Sequence, residues 1–118
     1  MSGNICEFST NWNNKLECKN FTTIRLSHRL VHHSTILVRY QNKYKVCKKI
    51  DQKTLKISQF NDWICRLDTG YDVNTTIEIL EKMYKFDHTK EDKLFYWFLL
   101  ESVSGWISID DVKDFLDI

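Results

Sequence analysis

The chain has 118 residues, a formal charge of +1 and 42% hydrophobic content, enough for one domain with one core. Four Trp, five Tyr and seven Phe exclude a disordered chain. No apolar run approaches the length of a membrane-spanning helix. Ile5 to Phe8 reads as a short opening strand. Trp12 and Leu16, four apart behind the cap-forming Ser9-Thr10-Asn11, predict a short helix over about 11–18. Phe21 to Leu26 follows as a strand, then a polar loop over 27–34. Thr35 to Tyr40 and Tyr44 to Ile50 form an antiparallel pair through a turn at Gln41-Asn42-Lys43. A bulge near Asp51 leads into further strand over 54–57.

The helical part opens at Ser58, with Phe60, Ile64 and Leu67 on one face and Gly70 just past the end. Asp72 or Asn74 caps a second helix whose face carries Ile77, Leu80, Met83 and Tyr84. Glu78–Lys82 and Glu81–Lys85 stand in the favourable i,i+4 order. After a charged loop over 86–93, Leu94 to Leu100 is the most apolar run and reads as a central strand. Ser108 to Asp111 resembles a capping box ahead of a short C-terminal helix. The whole is expected to be a single α+β domain over 1–118, a small barrel decorated by helices. Its core spans about 5–100, with a helical extension over 102–118.

Charge is unevenly spread. Cations crowd residues 15–56, while 101–118 is acidic, so a basic face for phosphate can coexist with near-zero net charge. Lysines solvating exposed strand faces would give the same pattern. Cys6, Cys18, Cys47 and Cys65 form no Cys-x-x-Cys pair and have no histidine at zinc spacing, so no metal is expected. His32-His33 lacks the thiol or carboxylate company a metal needs. Met1-Ser2-Gly3-Asn4 carries no basic and apolar leader, so reduced thiols and a cytoplasmic setting are expected. Absence of alanine and proline, with abundant Lys, Asn and Ile, points to AT-rich coding, as in a phage, a low-GC bacterium or a parasite.

The chemistry-bearing stretch is Asn20-Phe21-Thr22-Thr23-Ile24-Arg25-Leu26, joined by Leu67-Asp68-Thr69-Gly70-Tyr71. Thr22 and Thr23 point to opposite strand faces, so at most one lines a pocket. Arg25 among apolar neighbours needs a partner, either a phosphate, a base edge or Asp68. Asp68 at a helix C-terminus opposes the helix dipole, which favours a paired or functional role. Tyr71 and Trp12 are available to stack on a base.

These segments, with the order of elements around them, resemble the ASCH family of the PUA-like superfamily, small β-barrels linked to RNA and modified-nucleoside chemistry. The resemblance covers about residues 5–100 as a pattern and implies an RNA- or modified-nucleotide-binding module. Arg25, Thr23, Lys19, Asn20, Tyr71 and Trp12 would form its binding site, with no cofactor. One branch of the superfamily is similar to a small amidohydrolase acting on N4-acetylcytidine through a lysine, a threonine and a glutamate. Matching the strands puts the threonine on Thr23, the arginine on Arg25 and the glutamate near Asp68-Thr69. The lysine position falls on Asn20, with Lys19 one residue earlier. The enzymatic alternative therefore carries Thr23, Asp68 and Lys19 as its catalytic set. A third alternative is a phage or mobile-element protein that binds a host protein through its acidic C-terminal helix.

Overall fold

The computed structural model describes residues 4–108, 110 and 111. Five strands form one sheet: β1 (Ile5–Phe8), β2 (Asn20–Arg25), β3 (Thr35–Tyr40), β4 (Lys43–Lys56) and β5 (Leu94–Ser102). Two helices, α1 (Asp62–Asp68) and α2 (Val73–Tyr84), lie between β4 and β5 in sequence. The sheet order is β1-β3-β4-β5-β2, which leaves β1 and β2 at the two edges. β1 runs parallel to β3, and every other pairing is antiparallel.

The sheet curls into a half-barrel because residues from all five strands meet on one side. Cys6, Phe8, Phe21, Ile36, Val38, Cys47, Phe98 and Leu100 share one buried cluster with Leu16. The Phe8 and Phe21 rings, one from each edge strand, meet edge to face at 6.3 Å. A second cluster on the other side joins Ile24 and Phe95 to Cys65, Ile77 and Leu80 of the helices. Phe95 is its centre, touched by the rings of Phe60, Tyr84 and Phe86. The mixed α+β class and the curled sheet therefore agree with the sequence pattern.

Most element positions follow from local chemistry. Gln41 and Asn42 both take positive φ, at 52° and 62°, as a two-residue hairpin that matches strand twist requires. The register shift between Lys49 and Asp51 is the expected bulge, and β4 continues through it without a break. Gly70, at φ 84°, closes α1, and the Asp72 side chain caps α2 by accepting from the Thr75 N–H at 2.9 Å.

Three expectations change. The segment 11–18 folds as a 3-10 turn over Trp12–Glu17, because Asn14 sits at φ 55° and interrupts an α-helix. α1 starts later than Ser58: Asn61 is its cap, accepting from the Ile64 N–H at 2.9 Å, while Ser58 donates to Asp92. That shift turns Leu67 outward, 45% exposed, and turns Cys65 and Asp68 inward. Glu81 contacts His88 rather than Lys85. The expected C-terminal helix lies largely outside the described residues. Among those described, no helix is long and apolar enough to cross a membrane.

Candidate functional site

The site forms at the open seam of the half-barrel, where the end of β1 faces β2 and the two helices close over them. Edge strand β2 presents alternate residues to alternate faces. Thr23 and Arg25 share the face that looks toward Phe8. The Arg25 Nε donates to the Thr23 Oγ1 at 2.9 Å, and its guanidinium stacks over the Phe8 ring at 4.5 Å. Arg25 is thus satisfied without Asp68, which corrects the ion pair considered from sequence. The Arg25 guanidinium also lines the seam cavity, with donors beyond the Nε still available.

The amine in this site is Lys15. Its Nζ donates to the Asp68 Oδ1 at 2.8 Å and to the Thr22 carbonyl at 2.7 Å, and both side chains are almost fully buried. The 3-10 turn holds it there. Leu16, wholly buried, anchors the turn in the core, and the Asn11 Oδ1 accepts from the Leu16 N–H at 2.9 Å. The buried Lys45 amine donates to the Leu16 carbonyl from the far side. From this position Lys15 reaches around the free edge of β2 to the end of α1.

Burial sets the electrostatics of the pair. It pushes the Asp68 carboxyl above its ordinary range, opposed by the Lys15 charge and hydrogen bond and, more weakly, by Arg25. It pulls the Lys15 ammonium down, opposed by the Asp68 charge. Burial thus favours the neutral form of each group, and the mutual attraction of the pair opposes it. Such a dyad can accept or deliver a proton at a bound ligand. Thr69 does not join it, since its hydroxyl is used by Thr76, the Cys65 carbonyl and the Tyr71 N–H in the turn between the helices.

Lys15, Thr23, Arg25 and Asp68 line one cavity of about 50 Å³, bordered by Phe8, Trp12 and Tyr84. Beside it lies a wider cleft of about 350 Å³, which shares Trp12 and Ile79 and is walled by Tyr71 and Lys82. The Trp12 and Tyr71 rings meet edge to face at 6.2 Å. Thr23, Arg25, Asp68 and Trp12 line the small cavity, and Tyr71 walls the adjoining cleft. Lys19 is exposed and is absent from the cavity lining; Asn20 faces a different groove. Lys15 lines the cavity instead, and the sequence held one signal for it: a basic residue directly beside the core residue Leu16.

The basic stretch is used partly inside the molecule. Lys49 donates to the Leu30 and Val31 carbonyls, and Lys43 and Lys45 lie over the Trp106 ring at 5.0 and 4.7 Å. Lys45 and Lys49 thus hold neighbouring segments against β4, while Lys43 stays exposed. Glu81, Asp87 and His88 bring ligating atoms within 4.8 Å of one another, but their contacts close a surface loop outside the cavity. Comparison of the chain with protein-family models, curated proteins and solved structures yields no match.

Proposed function

We propose that the protein is a PUA-like, ASCH-type module that recognises RNA or a modified nucleotide at the seam of the half-barrel. The observation that carries this reading is the convergence of Lys15, Asp68, Thr23 and Arg25 on one small cavity beside an aromatic-walled cleft. A base fits the wider cleft against Trp12 and Tyr71, where stacking tolerates any base. An exocyclic substituent fits the small cavity, where the Lys15–Asp68 dyad and the Thr23 hydroxyl offer both donors and acceptors. Arg25 supplies a guanidinium for phosphate or a base edge.

A second reading is the amidohydrolase acting on an acylated nucleoside. The Lys15–Asp68 contact at 2.8 Å favours it, because it supplies the amine that strand matching had left at Asn20. In that reading Lys15 and Asp68 shuttle a proton, and the Thr23 hydroxyl donates to the amide oxygen.

Quenching of tryptophan fluorescence by nucleosides, nucleotides and short RNA tests the first reading. Saturable quenching that weakens as salt rises and is lost in Arg25→Ala supports it. No quenching by any of these ligands overturns it. Release of acetate from N4-acetylcytidine by wild type, abolished in Lys15→Met, would move the assignment to the enzyme.

A further inference from the structure

Lys15 also lines a second space. Thr22 and Thr23 point to opposite faces of β2, and Thr22 does not line the seam cavity. On that side a groove of about 300 Å³ is bounded by Lys15, Cys18, Thr22, Arg66, Leu67 and Leu99. It is distinct from the nucleotide site in every lining residue except Lys15.

Three features of the groove are unused by the fold. The Thr22 side chain is 97% buried (3% exposed), yet its hydroxyl has no hydrogen-bond partner. A buried hydroxyl is ordinarily satisfied, so an unpaired one lining a groove points to a missing acceptor or donor. The Arg66 side chain is exposed and makes no hydrogen bond or close ion pair with a described residue, although its charge acts on Asp72. Leu67 stays half in solvent beside buried Leu100's neighbour Leu99, giving an apolar wall next to the cation.

We propose that this groove binds a small organic carboxylate. The planar guanidinium of Arg66 takes the carboxylate through paired hydrogen bonds, a geometry that lysine or a backbone amide does not offer. The Thr22 hydroxyl makes the inner polar contact, and the short apolar tail lies against Leu67 and Leu99. The volume is at the lower end of ligand pockets, roughly 300–1,000 Å³, which limits the ligand to a single ring or short chain.

Cys18 provides the readout. It is the exposed thiol in this wall, whereas Cys6, Cys47 and Cys65 are buried. Alkylation of native protein by iodoacetamide is followed by mass spectrometry at constant ionic strength, with benzoate, benzamide or sulfate added. Benzoate is expected to slow Cys18 alkylation several-fold and saturably, while benzamide and sulfate do not. Arg66→Gln should remove the protection. Thr22→Val should weaken it without lowering the melting temperature, because the hydroxyl it removes has no partner to lose. Equal protection by benzamide or sulfate, protection that persists in Arg66→Gln, or none at any concentration overturns the proposal. Nucleotide quenching in the same Arg66→Gln protein reads the seam separately, so failure of one site is not failure of the other.

Discussion

Lys15 and Asp68 concentrate the energetic stakes of this molecule in two side chains. Each is taken out of water, and each is tolerable there because the other is within 2.8 Å. Removing one partner leaves an uncompensated buried charge, so Lys15→Met should destabilise by roughly 3–5 kcal/mol in urea unfolding. The double variant Lys15→Met/Asp68→Leu should recover most of that loss; a double variant as unstable as the single one would contradict the pairing. The pH dependence has a definite sign. Asp68 holds its proton more tightly folded than unfolded, so its stabilising contribution is complete below its unfolded value of 3.8. That contribution is lost as pH rises through the higher folded value. Wild type should therefore lose stability relative to Asp68→Asn as pH is raised across the acid range, read from urea midpoints. A gain of stability over the same range would reverse the assignment.

At the scale of elements, α1 decides where the site residues point. It is only seven residues long, too short to be stable alone, and it depends on its cap and its packing. The Asn61 side chain sets the first turn, and that start directs Cys65 and Asp68 inward and Arg66 and Leu67 outward. Asn61→Ala should cost roughly 0.5–2 kcal/mol and should also weaken ligand binding at the seam, measured by fluorescence titration. A loss of stability with unchanged binding would separate α1 from the site. β2 is the other deciding element. As an edge strand it has an unshared flank, and the Lys15 amine takes the Thr22 carbonyl there, which protects that edge from pairing with another chain.

Across the whole molecule, the curl of the sheet makes the seam possible. β1 and β2 are edge strands that never pair with each other, yet Phe8, Phe21 and Arg25 bring them into contact through side chains. The space left between them is the cavity. The same closure hides three of the four thiols. Burial pushes the Cys6 and Cys65 thiols up and the Cys47 thiol up to about 12, so none offers a thiolate near neutral pH. Native protein should therefore show one fast-reacting thiol, Cys18, and all four after denaturation, as counted with a chromogenic disulfide. Two or more fast thiols in the native protein would mean that the core opens far more readily than this packing implies.

Short-range chemistry made much of this legible in the chain. β1 and β3 have the boundaries expected from the chain, for β3 because β-branched and aromatic residues favour a strand locally. The 41–42 turn, the bulge near Asp51, Gly70 and the Asp72 cap follow from residue-level conformational preference in the same way. Thr23, Arg25 and Asp68 stood out because polar groups among apolar neighbours demand partners. What those partners are was not local. Asp68 is paired with a lysine 53 positions away, and no periodicity links the two. Lys15 looked like one cation among many until the 3-10 turn, itself set by a left-handed Asn14, carried it around the edge of β2. The sequence by itself determined where the strands lie and which side chains could not be buried alone. Only the tertiary structure decided that Lys15, not Lys19 or Asn20, lies beside Asp68 in the cavity, because pairing across a seam depends on how the sheet closes.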